Sequence, residues 1–495
     1  MFDALQQIRT AGGTRLTHGL SDAQLSRFRQ DPALQQALQD ALQAFKHLQR
    51  DRPDLVDLDE AQQIRRIQQA YVNFYAEDAV NPYVSLAARG PWLITTKGAV
   101  LHDSGGYGML GFGHAPPAIL EAMNRPHVMA NVMTANTAQL ALADALDREL
   151  GHNRPDGNPY ARYLCMNSGS EAVSVAARIA DIHSKNMTDP GGRHAGKPIR
   201  ILAVSGGFHG RTDRPARFSH STHPVYRKYL ASFREFHQLI TVPPNDIAAL
   251  EAAYARAEQE GFFIEAFFME PVMGEGDPGM AMTPSFYRRA RELTRAHGSL
   301  FLVDSIQAGL RAQGTLSIVD YPGFTELEAP DMETFSKALN AGQYPLSVLA
   351  VQEWVAGIYR KGVYGNTMTT NPRALDVACA VLEQITPELR QNIRQRGQEF
   401  LDKFRALQAE LGGLITRVQG TGLLFSCELA PCFRAYGKDS LEEYLRMHGI
   451  GVIHGGENSL RFTPHFHISS EEVDLIVNAT REALLHGPRH NSQAA

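Results

Sequence analysis

The sequence predicts an α/β fold: a large domain around a mostly parallel, doubly wound sheet, a smaller α+β domain, and a helical N-terminal extension. Three observations lead there. Apolar runs at 163–166, 201–204, 264–269 and 300–303 lack polar alternation, which marks strands covered on both faces. Polar or glycine-rich turns and helical stretches recur between them, the order of a βαβ series. At 495 residues the chain also exceeds what one core sustains.

Composition narrows the partners. With 48 basic and 53 acidic residues and a net charge of -5, neither nucleic acid nor a membrane surface is expected as a partner. The four cysteines, Cys165, Cys379, Cys427 and Cys432, are too scattered for a disulfide framework or a paired metal motif. The start, Met1-Phe2-Asp3-Ala4-Leu5, shows no signal peptide, and no apolar run approaches membrane-spanning length. A cytoplasmic enzyme or binding protein is the expectation.

In chain order, residues 1–80 form the helical extension. Asp31-Pro32 is a cap and first-turn pair, and Leu34, Leu38, Ala41, Phe45 and Leu48 repeat at helical spacing, so this face packs on the body or a subunit boundary. Residues 81–118 open the small domain, with a hairpin at Lys97-Gly98 and the glycine-rich loop from Ser104 to His114. That loop has too much glycine for a regular element and brings backbone close to something. Residues 119–373 form the large domain, and 374–495 complete the small one with two long helices, short strands and a closing helix before a polar tail.

Within the large domain, the strand ending at Met166 runs into Asn167-Ser168-Gly169-Ser170-Glu171 and then a helix. Free amides at such a helix start can cradle a phosphate; an ordinary capped helix has the same pattern. Phe208-His209 follows the strand at 201–204, where an aromatic ring can stack on a planar ligand or simply fill the core. Glu270 and Glu275 follow the strand at 264–269, as general acids or, by preference, as partners of cations. Histidine pairs His220/His223 and His465/His467 lack complementary ligand spacing, so no metal site is expected.

The most informative stretch is Leu300-Phe301-Leu302-Val303-Asp304, with Ser336-Lys337-Ala338 after a second apolar run. A strand ending in a carboxylate delivers it to the carboxyl edge of a parallel sheet, where open α/β sheets bind ligands. A lysine at the same edge adds an amine. Pyridoxal phosphate needs this pair, because its aldehyde condenses with a lysine and its ring nitrogen must stay protonated.

Taken together, Asn167-Ser168-Gly169-Ser170-Glu171-Ala172, Phe208-His209-Gly210-Arg211-Thr212, Glu270-Pro271-Val272, Asp304 with Gln307, Ser336-Lys337-Ala338, Thr367 with Asn371-Pro372, and Leu460-Arg461-Phe462-Thr463-Pro464 resemble the class III pyridoxal-phosphate-dependent aminotransferases. These are the ornithine and 4-aminobutyrate aminotransferase-like enzymes of fold type I. Each motif is weak alone; the ordered set is specific. The resemblance implies that Lys337 bonds to the cofactor and shuttles the proton, and that Asp304 holds the pyridinium proton. It places Gln307 near the phenolic oxygen, Gly169 and Ser170 on the phosphate, and Phe208 on the ring with His209 beside it.

By the same resemblance Thr367 reaches the phosphate bound by another subunit, which implies a homodimer with shared sites. Arg461 binds a substrate carboxylate, Glu275 pairs with that arginine when an amine end occupies the pocket, and Tyr107 is a pocket aromatic. The expected activity is ping-pong transamination from a diamino or ω-amino acid to a keto acid such as 2-oxoglutarate. Ser305, where the family commonly has glutamate, Met273 in place of a frequent glutamine, and the N-terminal extension depart from the pattern and bear on the substrate. Decarboxylation, racemisation or aminomutase chemistry needs the same Asp304 and Lys337, and a non-catalytic ligand-binding α/β protein is the remaining alternative.

Overall fold

The computed structural model describes residues 2–75 and 79–490; the last five residues of the polar tail lie outside that range. The chain divides into two compact units, Met1–Pro117 with Gln395–Ala495, and Ala118–Arg394. Residues 374–394, placed by sequence in the C-terminal small domain, thus fall in the second unit.

The extension comprises α1 (Phe2–Arg9), α2 (Asp22–Arg27), α3 (Pro32–Asp51), α4 (Pro53–Val56) and α5 (Glu60–Gln68). Helix α3 starts as its sequence dictates: the Asp31 carboxylate accepts the Ala33 amide at 2.7 Å, and Pro32 occupies the first turn, where its missing N–H costs nothing. Its buried stripe of Leu34, Leu38, Ala41 and Phe45 packs on β1 (Ser85–Arg89) and β2 (Trp92–Thr95). Asp31 also accepts the Trp92 indole N–H at 2.6 Å.

Buried charges fix the rest of the extension. Glu60 accepts the amides of Leu16 and Thr17, each at 2.8 Å, and buried Lys97 donates to the carbonyls of Val56, at 2.8 Å, and Gly12. Strands β2 and β3 (Val100–Asp103) form the hairpin expected at Lys97-Gly98. The extension is therefore part of its unit's body.

The second unit opens with α6 (Pro117–Asn124), α7 (Thr137–Glu149), β4 (Arg162–Met166) and α8 (Gly169–Thr188). It continues through β5 (Ile199–Val204), β6 (Leu239–Val242), β7 (Phe263–Met269), β8 (Leu300–Asp304), β9 (Met332–Phe335) and β10 (Ser347–Val351). The seven strands run in the order β4-β10-β9-β8-β7-β5-β6. All neighbours are parallel except β10, which is antiparallel to both β4 and β9. Every residue of β7, β8, β9 and β10 is buried, which is why these segments lack alternation. One face is covered by α8 through Ala172, Val175, Ala176, Ile179 and Ala180.

The first unit is completed by β11 (Ile415–Thr421), β12 (Leu424–Leu429), β13 (Ile450–Gly451), β14 (Ile453–Gly455) and β15 (Ser459–Phe462). Its two four-stranded sheets are β1-β2-β3-β13 and β11-β12-β15-β14.

Candidate active site

At the carboxyl ends of β8 and β9 the parallel register places Asp304 opposite Thr334, so the two strands end together and their following residues share one sheet edge. Asp304 is the last residue of β8 and only 3% exposed. Its Oδ2 lies 2.9 Å from His209 Nδ1, and its Oδ1 accepts the Thr334 hydroxyl at 3.1 Å and the Ile306 amide at 3.2 Å. This carboxylate is held from three directions, as a buried charge must be.

Lys337 follows β9 and begins a short 3-10 turn. Its φ of +47° is in the left-handed region, a conformation that costs about 1–3 kcal/mol for a non-glycine residue and persists only where surroundings enforce it. The half-buried side chain donates from Nζ to Gln307 Oε1 at 2.9 Å. A Cβ on Gly274 would fall 2.4 Å from Gln307 Cδ, so glycine there is a condition for the glutamine's position.

The turn at the start of α8 also behaves as a cradle. Ser168 caps the helix and forms a reciprocal capping box with Glu171, which also takes the amides of Asn167 and Ser168 on its carboxylate. The amides of Gly169 and Ser170 have no acceptor among the described residues. They sit where the helix dipole favours an anion. Ser170 Oγ accepts the Arg211 amide at 3.3 Å. Gly210, at φ +111°, packs so close that a Cβ would lie 2.4 Å from the same Oγ. The 207–211 turn, with Phe208 and His209, is thereby fixed beside α8.

Glu270, read from sequence as a partner for cations, instead accepts the backbone amides of Phe208 at 3.0 Å and Gly274 at 2.9 Å. Burial pushes its carboxyl up to about 7, opposed by nearby His209 and reinforced by Asp304. Its role is thus to hold the two loops that flank the pair Asp304–His209. Among the described residues, buried His209 Nε2 has no hydrogen-bond partner, an unsatisfied buried atom that calls for an explanation.

Lys337, Asp304, Gln307, Gly169, Ser170, Phe208 and His209 thus all belong to one sheet edge of the second unit. Glu275 is in that unit, with Arg211 as its cation at 3.7 Å. Thr367 is exposed in the turn before the helix Pro372–Glu383. Arg461 and Tyr107 belong to the first unit, where Arg461 is buried in β15 and its guanidinium carbon lies 5.7 Å from the Tyr107 ring centroid. Sequence reasoning passed over Thr334, whose hydroxyl braces Asp304. Its only signal was position, one strand over in the Thr334-Phe335-Ser336-Lys337 run.

Comparison with known proteins decides the family. The class-III aminotransferase model matches residues 74–484. The chain belongs to the class III aminotransferases. It is 30% identical over 403 residues to the acetylornithine aminotransferase of Neisseria meningitidis serogroup B, covering 80% of this chain and 92% of that one. The succinylornithine transaminase of Salmonella typhimurium is 30% identical over 399 residues, with 79% and 90% covered. Among solved structures, the ornithine aminotransferase of Toxoplasma gondii superposes with a TM-score of 0.72 at 24% identity, over 88% of this chain and 97% of that one. This class III aminotransferase is therefore an enzyme, and its α/β architecture is that of its family. No helix among the described residues is long and apolar enough to cross a membrane.

Proposed function

We propose that this aminotransferase uses pyridoxal phosphate to move an amino group from a diamino or ω-amino acid to a keto acid such as 2-oxoglutarate, in two half-reactions at one site. The observation that carries the reading is the pairing, at one sheet edge, of Asp304 with His209 and of Lys337 with Gln307. Relatives named as acetylornithine and succinylornithine transaminases support the substrate class.

The residues present fit the cofactor. The unclaimed amides of Gly169 and Ser170 suit a phosphate, and buried His209 Nε2 lacks a partner among the described residues. Glycines 210 and 274 stand where any side chain would collide. When bound, pyridoxal phosphate supplies an aldehyde that condenses with amines and a cationic ring that withdraws electrons.

Lys337 would hold the cofactor and then, freed by the incoming amine, carry a proton to and from the substrate carbon. Gln307 orients Nζ for that task. Asp304 would keep a proton on the ring nitrogen through a charge-assisted bond, while His209 and Thr334 stop the carboxylate from turning away. Phe208 would stack on the ring. Arg461 would grip a substrate carboxylate through its planar fork, with Glu275 as its alternative partner and Tyr107 lining the same pocket.

Thr367 would reach the phosphate of a second subunit, making the functional unit a homodimer with shared sites. Exposed Val128, Met129 and Met368 line one cavity with Thr367 and support a protein partner there, since clustered exposed apolar side chains mark interfaces.

The test is direct. Borohydride reduction of the purified, cofactor-loaded enzyme should tag Lys337 in a peptide mass map, and a diamino donor with 2-oxoglutarate should yield glutamate. A tag on another lysine, or no glutamate with any donor, would overturn the reading.

A further inference from the structure

Glu333 of β9 is fully buried in the second unit, and the chemistry proposed above makes no use of it. Next to it in the strand is Thr334, whose hydroxyl braces Asp304. Neighbouring strand residues face opposite sides of a sheet, so Glu333 lies on the face away from that brace. Register pairs it with Val303 of β8, and Ser305, two residues further on, returns to the same face.

Four uncharged donors converge on the carboxylate. Oε1 accepts the Ser305 hydroxyl at 2.5 Å and the Ile318 amide at 3.0 Å; Oε2 accepts the Tyr160 hydroxyl at 2.5 Å and also that of Ser317. An ionised carboxylate can serve four donors, which a neutral group of the same shape cannot. Burial pushes Glu333 up to about 7, and these bonds oppose it.

One of the four leads to the site. Ser305 opens the turn after β8, where its amide donates to the Thr334 carbonyl at 3.0 Å and its carbonyl accepts the Gly309 amide at 2.8 Å. In that turn the Ile306 amide donates to Asp304 Oδ1, and Gln307 receives Lys337 Nζ. The Ile306 side chain packs so near Gly169 that a Cβ there would lie 2.7 Å from its Cδ1. Acid, amine and phosphate cradle therefore all touch one turn. A glutamate at 305 would set a second carboxylate against Glu333, a repulsion that serine avoids.

We infer that Glu333 is a positioning residue: through the Ser305 hydroxyl it fixes the 305–307 turn, and with it the Asp304 carboxylate and the Gln307–Lys337 contact. This rests on the reading of Asp304 and Lys337 as the cofactor's partners. The bonds from Tyr160, Ser317 and Ile318 secure the carboxylate itself.

The experiment compares two deletions from the same carboxylate in the full-length enzyme. Ser305→Ala removes the bond that leads to the turn, and Tyr160→Phe removes one that does not. Each leaves three donors, so both variants should fold with a similar loss of thermal midpoint. In the cofactor-loaded enzyme, with a diamino donor and 2-oxoglutarate, Ser305→Ala should lower kcat about tenfold and change KM by less than about twofold, because a small displacement of reacting groups suffices. Tyr160→Phe should keep both within about twofold of wild type. The pH at which the absorbance of the lysine-bound cofactor changes should move in Ser305→Ala alone.

A further readout needs no cofactor. In the apoenzyme, amide hydrogen exchange across residues 305–310 should be about tenfold faster in Ser305→Ala than in wild type or Tyr160→Phe, since only there has the turn lost its strut. Equal kcat in the two variants, or equal exchange, overturns the inference; so does a Ser305→Ala enzyme that unfolds where Tyr160→Phe does not, which would make the bond merely structural. If wild type binds no cofactor at Lys337, the reading of the site fails instead, and exchange alone decides the role of Glu333.

Discussion

Two of the buried carboxylates that lie at hydrogen-bond distance from imidazole, Asp304 and Glu472, differ in what remains open around them. In the second unit, Asp304 meets His209 at 2.9 Å, and the far nitrogen of that ring is buried without a partner among the described residues. In the first unit, Glu472 Oε1 lies 3.1 Å from His102 Nε2 and 2.9 Å from His465 Nε2. Glu472 Oε2 accepts the amide and hydroxyl of Ser469, each at 2.8 Å, and His102 Nδ1 meets Ser104 at 3.1 Å.

The Glu472 cluster satisfies itself. It ties β3, the loop after β15 and the start of the helix Ser470–His486, and its donor geometry is accounted for by hydrogen bonds alone. The Asp304 cluster stops one bond short, beside glycines that leave room. A closed polar network fixes structure, whereas an incomplete one at a sheet edge leaves a buried group that a ligand can satisfy.

The comparison predicts a hierarchy of effects, beginning with the amine itself. Lys337→Ala should lower turnover by about 10²–10⁴-fold from loss of proton transfer alone, with the fold intact by circular dichroism; activity near wild type would remove Lys337 from the chemistry. Asp304→Ala should come next. Removing one partner of a buried pair costs about 3–5 kcal/mol, or roughly 10²–10³-fold or more in kcat/KM, and the loss should appear as weakened cofactor retention on dialysis.

Glu472→Gln should reverse that pattern, costing about 3–5 kcal/mol of folding stability at neutral pH with a smaller change in kcat than Asp304→Ala. Burial would raise the Glu472 carboxyl, but His465 and His102 hold it well below the usual range. A depressed carboxyl contributes stability above its unfolded pKa and loses it as pH falls, so urea melts of variant and wild type should converge toward acid pH. A constant gap at every pH would show that this carboxylate's charge is irrelevant.

Gly274→Ala should cost less, about 1–3 kcal/mol through overpacking against Gln307, read as a lower kcat with the thermal midpoint moved by only a few degrees. The smallest effect is a pH slope. Glu270 is raised from 4.5 to about 7, so the native state binds more protons than the unfolded one between those values. Its contribution to stability should fall as pH rises from about 4.5 to 7, opposite in sign to that of Glu472. Glu270→Gln should flatten this slope in urea melts across that range.

Much of the site could be read before any coordinates. Asp304 and Lys337 were legible because an all-apolar strand ending in a carboxylate has few other meanings, and Ser168, Gly169 and Glu171 announce a capped helix start by spacing alone. Glu270 was misread because its partners are backbone amides, which carry no sequence signal. Thr334 and the Glu472–His102–His465 cluster were missed because their partners are distant in the chain, and only strand register or the meeting of three elements brings them together.

The four-donor surroundings of Glu333 were equally hidden, since the hydroxyls that converge on it come from three separate stretches of the chain. Sequence by itself determined the order of elements, the fold class and the strand-end placement of Asp304 and Lys337, the two residues proposed to carry the chemistry, because period, caps and strand-end residues are local properties of the chain. The tertiary structure alone decided which buried charges are complete and which still lack a partner, because hydrogen-bond satisfaction depends on atoms that arrive from elsewhere in the fold.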